Sequence, residues 1–348
     1  GGRSKRRRPG PQTFERWLEV EGWRNPSQRP LEPVMMSLAT ACKQIATLVR
    51  RTHTDELGGD FGEEVNIQRE QQKKLDVVAN NLLKLALCSS GVLYCVASEE
   101  EDDPCPCAGI IDNDSFDGDL VAVFDPLDGS SNVDCGLATG TIFGILQTPR
   151  HTSGSATAET LLQAGTTLVG AGYCLYGAAT TLVITMGNGV HGFTLDPTTQ
   201  QFLHTHVDMR IPRRGPLYMF NQGNQYAWDQ GVQQYITDTQ SDAGVRSVFK
   251  YSGAFVADVH ALLNNGGIYG YPAEPKAPTG KLRLLYEANP MSFLIEQAGG
   301  AGSTGSQRIL DVDPEKVHQR VPTFLGSADN VYDLTQYVQY RLSPDMWI

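Results

Sequence analysis

The apolar run Leu120-Val121-Ala122-Val123-Phe124 passes directly into Asp125-Pro126-Leu127-Asp128-Gly129-Ser130-Ser131-Asn132, and this junction constrains the chain more than any other segment. The apolar residues have the composition of a buried strand. Pro126 is expected to stop that strand where Asp125 emerges, because proline lacks an amide to donate. Asp128 lies three residues on, so a tight turn brings both carboxylates and the intervening Leu127 carbonyl toward one hard divalent cation, which prefers oxygen ligands. Gly129, Ser130 and Ser131 then offer amides and hydroxyls to an anion, most effectively where a helix begins and adds its dipole. A bare Asp-x-x-Asp-Gly is more often a simple turn. The full string after a strand reads instead as a site for metal and phosphate together.

One aspartate pair rarely suffices for phosphoryl chemistry, and the chain supplies more acids. Ser98-Glu99-Glu100-Glu101 follows the strand-like run Val92 to Val96, and Glu287 closes a third apolar run, Leu284-Leu285-Tyr286. Taken singly, the first is a solvated acidic loop and the second a core-edge carboxylate paired with an arginine. Three acidic strand ends gathered in one domain would repel one another and shift each other's pKa unless cations balanced them.

At 348 residues and 40% hydrophobic content, the chain can bury a large core in one domain or two. No stretch approaches the length of a transmembrane span. A net charge of -11 argues against nucleic acid as substrate. The basic start, Arg3 to Arg8, is the local exception and is expected to be a disordered tail over residues 1–12. Seven cysteines and no recognisable signal peptide point to free thiols in a reducing compartment. Cys105-Pro106-Cys107 stands apart in a polar loop, where exposed inert thiols are expected, with a local redox or thiol-modification switch as the alternative; zinc binding would need a second Cys/His pair at suitable spacing.

Periodicity predicts a helix from Pro33 to about Arg51 and another from about Lys73 to Ser89. Thr52 to Glu70 between them is polar, glycine-bearing and without apolar period, hence a loop. From Leu168 onward strand-like runs separated by turns predict a meander, followed by a helix near Tyr226 to Thr239 and further α/β alternation.

Beyond the metal motif, Lys74-Leu75-Asp76-Val77, Gly172-Tyr173-Cys174-Leu175-Tyr176-Gly177, Asn221-Gln222-Gly223-Asn224, Gly266-Gly267-Ile268-Tyr269-Gly270-Tyr271-Pro272 and Gly280-Lys281-Leu282-Arg283-Leu284-Leu285-Tyr286-Glu287 occur in order along the chain. In this collinear series, from about Phe14 to Tyr340, the sequence resembles the class 1 fructose-1,6-bisphosphatases, within the lithium-sensitive, Mg²⁺-dependent sugar phosphatases. The resemblance implies a five-layer α/β/α/β/α sugar phosphatase fold, with a metal-binding half at 13–209 and a sugar-phosphate-binding half at 210–348. It implies hydrolysis of D-fructose 1,6-bisphosphate to D-fructose 6-phosphate and phosphate by a metal-activated water, with sedoheptulose 1,7-bisphosphate as alternative or additional substrate.

Carried over residue by residue, the resemblance gives Glu70, Glu99, Asp125, the Leu127 carbonyl, Asp128 and Glu287 as ligands of two or three Mg²⁺ ions, which Mn²⁺ or Zn²⁺ can replace. Asp76 and Glu100 match the carboxylates that orient and deprotonate the attacking water. Asp128, Gly129, Ser130, Ser131, Asn221, Asn224, Lys250, Tyr251, Tyr271, Lys281 and Arg283 match substrate contacts. Glu70 stands where many relatives have aspartate, and Lys250 where they have an arginine that reaches a neighbouring subunit's phosphate pocket, which keeps the charge and loses the bidentate fork. The AMP-binding stretch of inhibited relatives is replaced by Gln28-Arg29-Pro30 and Asp119-Leu120, so AMP inhibition is not expected. The segment Gln147 to Gly170 lacks the cysteines of thioredoxin-controlled plastid forms. The resemblance further implies a homotetramer in the cytoplasm or, after loss of a transit peptide, in the plastid stroma.

Overall fold

Strand β1 (Leu93–Ser98) and strand β3 (Leu120–Asp128) are buried along their whole lengths and pair in parallel, which sets two acid-bearing segments side by side. In the computed structural model, described over residues 11–52, 54, 64–110, 118–148, 158–241 and 247–340, residues 64–74 and 340 are described by their backbone only. The basic start, the C-terminal residues 341–348 and the segment 149–157 lie outside the described residues.

The first sheet is completed by β2 (Cys105–Pro106), β4 (Thr139–Gln147), β5 (Leu168–Tyr176), β6 (Thr180–Thr185), β7 (His191–Asp196) and β8 (Gln201–His206), in the order β2-β1-β3-β4-β5-β6-β7-β8. From β3 to β8 every pair is antiparallel, so the expected meander is present. The second sheet contains β9 (Leu217–Phe220), β10 (Val248–Phe249), β11 (Gly267–Tyr271), β13 (Ala301–Ser303) and β15 (Thr323–Gly326), ordered β10-β9-β11-β15-β13; β12 (Leu282–Arg283) and β14 (Arg320–Val321) form a separate pair.

Helices cover these sheets in layers. Outside the first sheet lie α1 (Phe14–Arg24), α2 (Glu32–Arg51) and α3 (Glu64–Cys88). Short α4 (Cys107–Ile110) and α5 (Ala158–Leu161) sit in connections. Outside the second sheet lie α6 (Gln230–Ser241) and α9 (Ala328–Tyr340), while α7 (Phe255–Asn265) and α8 (Asn289–Gln297) pack between the sheets. The result is the α/β/α/β/α arrangement. Strand period accounts for it at β3, where Leu120, Ala122 and Phe124 join the core beneath α2 and α3 while Val121 and Val123 join the core on the opposite face.

Four local expectations need correction. Pro126 does not end β3: the strand continues to Asp128, with its register against β4 slipping between Asp125 and Asp128. At such a bulge no ladder amide is required, and the Pro126 carbonyl instead accepts from Thr141 Oγ1 at 2.8 Å. Helix α3 starts at Glu64 rather than near Lys73, so the end of the expected loop is helical, while residues 55–63 lie outside the described residues. Glu287 does not end a strand; the segment Leu284–Ala288 is a π-helical turn running into α8, a register that aims an extra side chain out of the helical row.

The fourth correction concerns the cysteines. Cys42, Cys95, Cys105, Cys135 and Cys174 are free, but Cys88 and Cys107 form a disulfide with Cα atoms 4.9 Å apart. Nineteen residues separate them in the chain, and only the return of the segment after β1 to the end of α3 makes them neighbours. Cys107 is fully buried rather than an exposed thiol, and Cys105 is half-buried.

Candidate active site

Asp125, Asp128 and Glu287 meet where the end of β3 packs against the Leu284–Ala288 turn, with candidate ligand oxygens all within 4.8 Å of one another. All three residues are buried. Each is held by a backbone amide: Leu127 donates to Asp125 Oδ1 at 3.0 Å, Val256 to Asp128 Oδ2 at 2.7 Å and Arg283 to Glu287 Oε2 at 2.5 Å. Val256 is in the first turn of α7, so Asp128 also meets the positive end of that helix. The closeness depends on Gly129, whose φ of 72° is left-handed and where an added Cβ would stand 2.5 Å from that of Ala254.

Burial opposes three negative charges here, and their mutual repulsion adds to it. Asp125 is pushed well above the ordinary carboxylate range by burial, then by Asp128 and Glu287. Asp128 is pushed up to about 7 by burial, against the lowering effects of the Val256 amide and Lys281. Glu287 is pushed up to about 8 by burial and then by Asp128, with Arg283 opposing. Among the described residues, this is the one set of three or more Asp, Glu, His or Cys side chains close enough to share an ion. Hard oxygen donors, buried and crowded without a neutralising partner between them, fit a Mg²⁺-class cation.

The second group of acids rims this cluster. Glu99 follows β1, its amide bonded to the Phe124 carbonyl at 3.1 Å, and its carboxylate is paired with Arg283 at 2.6 Å. Glu100 donates its amide to Ser98 Oγ at 3.2 Å, and its carboxyl is raised by burial and by Glu99, while Arg283 lowers it. Asp76, from α3, is pushed up to about 7 by burial, then by Glu100 and Glu99, against a hydrogen bond from Ser130. Asp76, Glu99, Glu100 and Ser130 therefore gather at one spot from three elements. Ser131 is exposed on the short 3₁₀ turn that follows Gly129. Leu127 is buried between the two aspartates. Glu70 lies in α3, but its side chain is outside the described residues.

The remaining predicted contacts form a looser wall. Lys281 Nζ lies 5.4 Å from the centroid of the Tyr271 ring and near enough to Asp128 to lower its pKa. Asn224 donates its amide to the Asn221 carbonyl at 2.9 Å and its side-chain nitrogen to Glu274 Oε1 at 2.9 Å. The Tyr251 hydroxyl is raised by burial and then by Tyr271 and Asp258, so these side chains share a neighbourhood. Lys250 is exposed at the end of β10, its amide bonded to the Tyr218 carbonyl at 3.2 Å.

Sequence reasoning missed the residues that support this wall. Asp258 receives the Ser252 amide on both carboxylate oxygens, at 3.0 and 3.3 Å, and is pushed up to about 6 by burial. Its place in the first turn of α7 after Ser252-Gly253 is a helix-start signal that could have found it. Glu274 carries no such signal, and neither does Val256, which acts through its backbone.

With this geometry in place, comparison with known proteins is decisive. Family models described as the fructose-1-6-bisphosphatase N-terminal domain and C-terminal domain match residues 16–207 and 211–339. The chain belongs to the fructose-1,6-bisphosphatase family. It is 44% identical to the chloroplastic fructose-1,6-bisphosphatase of Brassica napus, over 94% of this chain and 82% of that one. It is 43% identical to the cytosolic fructose-1,6-bisphosphatase of Oryza coarctata, over 92% of both. The crystal structure of Leishmania major fructose-1,6-bisphosphatase in holo form superposes with a TM-score of 0.85 at 35% identity, covering 94% of this chain and 99% of that chain. As a family member the chain is a phosphatase, a hydrolase of phosphoric monoesters. Its relatives include both plastid and cytosolic proteins, and no described helix is long and apolar enough to cross a membrane.

Proposed function

We propose that the chain hydrolyses D-fructose 1,6-bisphosphate to D-fructose 6-phosphate and phosphate, with Mg²⁺ held by Asp125, Asp128, Glu287, Glu99 and the Leu127 carbonyl. The observation that carries this reading is the buried trio, whose oxygens crowd within 4.8 Å of one another. Bound cations would neutralise the phosphoryl oxygens, lower the pKa of a water and stabilise the leaving alkoxide. The chain's own residues do the rest. Asp76, poised at about 7, and Glu100 beside it orient the attacking water and take its proton, the water oxygen bonding to phosphorus as the ester bond to the sugar breaks. Ser130 steadies Asp76, and the Gly129 to Ser131 turn presents donors to the phosphoryl group.

At the other end Asn221, Asn224, Tyr251, Tyr271 and Lys281 receive the sugar and its second phosphate. Lys250 serves the pocket of a neighbouring subunit in a homotetramer; its exposure beside half-exposed Val248 and Phe249 supports this reading, and light scattering that finds a monomer would refute it. AMP does not inhibit: Gln28 is buried with its amide spent on the Met186 carbonyl at 2.7 Å, and Pro30 has no amide to offer. We place the protein in the cytoplasm, with the plastid stroma as the other compartment its relatives occupy.

Phosphate release from the six- and seven-carbon ketose bisphosphates, with Mg²⁺ and with or without AMP, tests all of this. The six-carbon substrate should give the higher kcat/KM and AMP should change nothing. Faster release from sedoheptulose 1,7-bisphosphate would reassign the substrate.

A further inference from the structure

Helix α3 presents Asp76, Asn80, Lys84 and Cys88 at intervals of four, so they form one stripe along the helix about 18 Å long. Every member of the stripe meets the segment that follows β1. Asp76 lies against Glu99 and Glu100. Asn80 Nδ2 and Lys84 Nζ both bind Glu101 Oε1, at 2.8 and 2.5 Å. Cys88 is bonded to Cys107. The acidic loop is thus fastened to α3 at successive points, with the acid pair at one end and the disulfide at the other.

Away from α3 the loop is also held by the Glu99–Arg283 ion pair at 2.6 Å. Glu99, Glu100 and Glu101 donate amides only to nearby Phe124 and Ser98 acceptors. Its return strand β2 is two residues long, at the edge of the sheet, paired through Cys95 with Pro106 and Val96 with Cys105. This short edge pairing and the single turn α4 are the least extensively hydrogen-bonded part of the sheet's margin, although Cys107 itself is buried in the core. Among the fastenings to α3, the link at Cys88 is the covalent one.

We propose that Cys88 and Cys107 form a thiol–disulfide exchange site for a dithiol reductant, and that the oxidised bridge holds the acidic loop against α3 so that reduction lowers turnover. The inference rests on the catalytic reading of Asp76 and Glu100 given above. In the exchange, a thiolate of the reductant attacks one bridge sulfur, forms a mixed disulfide and expels the other cysteine, which takes up a proton. The second thiol of the reductant attacks the mixed disulfide and frees the remaining cysteine. Two electrons and two protons pass to the bridge, and the reductant leaves as its own disulfide. Because both bridge cysteines are fully buried, attack follows local opening of β2 and α4. The neighbouring thiols do not compete, since burial raises the pKa of Cys105 and pushes Cys95 up to about 12, which keeps both protonated near neutrality.

The test uses full-length protein purified without reductant, with dithiothreitol as the dithiol. Alkylation and peptide mapping should find Cys88 joined to Cys107 and Cys105 alkylated; Cys88 and Cys107 both alkylated before reduction would overturn the proposal. Reduction should lower kcat on fructose 1,6-bisphosphate about tenfold while KM moves less than about twofold, because a misplaced acid pair impairs the chemical step rather than binding. Reoxidation should restore it. Cys107→Ser should show the reduced kcat and no response to dithiothreitol; full activity of the reduced wild type, or a response that persists in the variant, would refute the switch. Should Cys107→Ser fail to fold, the reversible wild-type measurement decides alone. If even oxidised protein with Mg²⁺ releases no phosphate, the catalytic reading has failed instead. The bridge is then judged by hydrogen exchange over residues 99–107, which reduction should accelerate and which, if unchanged, would overturn the restraint.

Discussion

The two ends of the site are built in different ways. At the metal end Asp125, Asp128 and Glu287 are buried on a strand and a π-helical turn, each tied to a backbone amide from another segment or from its own turn. At the sugar end Asn221, Asn224, Tyr251 and Lys281 are half-buried or exposed outside the strands and Tyr271 is half-buried at the end of β11, with Asn224 held by a side-chain bond to Glu274. The first arrangement over-determines positions that chemistry cannot allow to drift. The second leaves room to accommodate a ligand, and under the proposed function its residues select substrate rather than transform it. Substitutions at the metal end should therefore lower kcat, and those at the sugar end should raise KM.

The largest effect is expected from Asp128→Asn, which keeps an acceptor for the Val256 amide and loses the charge. Turnover should fall by about a thousandfold or more with circular dichroism unchanged, and a tenth of wild-type activity would remove Asp128 from the metal site. Asp76→Asn should cost about a hundredfold in kcat, in the range of a lost general base. Its pH–rate profile should also lose the acid limb that Asp76 contributes. A profile that keeps the limb would point to another base. Lys281→Met should sharpen the contrast from the other side, raising KM for fructose 1,6-bisphosphate about tenfold with kcat nearly unchanged. A matching loss of kcat would mean that Lys281 acts on the transition state.

Stability should also divide the two ends. Asp76, Asp128 and Glu287 have ordinary values of 3.8, 3.8 and 4.5 and stand at about 7, 7 and 8 in the folded chain. The folded state therefore binds more protons than the unfolded state between these limits. Their contribution is fully present below about pH 4 and is lost as pH rises through 7 to 8, so metal-free protein should melt at a lower temperature at pH 8 than at pH 5.5. Mg²⁺ should restore more of the melting temperature at pH 8 than at pH 5.5. A melting temperature of the chelated protein that rises across this interval would contradict the buried-acid account. The smallest effect is expected at Lys250→Arg, which restores a planar fork and should lower KM by about threefold, as measured in initial-rate assays.

How much of this could be read from the chain follows from where each contact lies. The Asp125 to Asn132 junction was legible because strand, acids and glycine-serine turn are contiguous. The layers were legible because apolar period distinguishes α2 from β3 before either packs. Other features depend on contacts far apart in sequence. The Val256 amide reaches Asp128 across 128 residues, and the Cys88–Cys107 bridge exists because a strand and a return bring two ends together. Pro126 misled for a local reason: its missing amide suits a bulge as well as a strand end, and only the pairing of β4 decides between them.

The most direct test of the acid cluster as the catalytic centre is phosphate release from fructose 1,6-bisphosphate as Mg²⁺ is raised from a chelated start, for wild type and Asp128→Asn side by side. Activity that is absent in chelator, saturates with Mg²⁺ in the wild type and stays near background in the variant is the predicted result. Cation-independent turnover, or equal activation of both proteins, would contradict it.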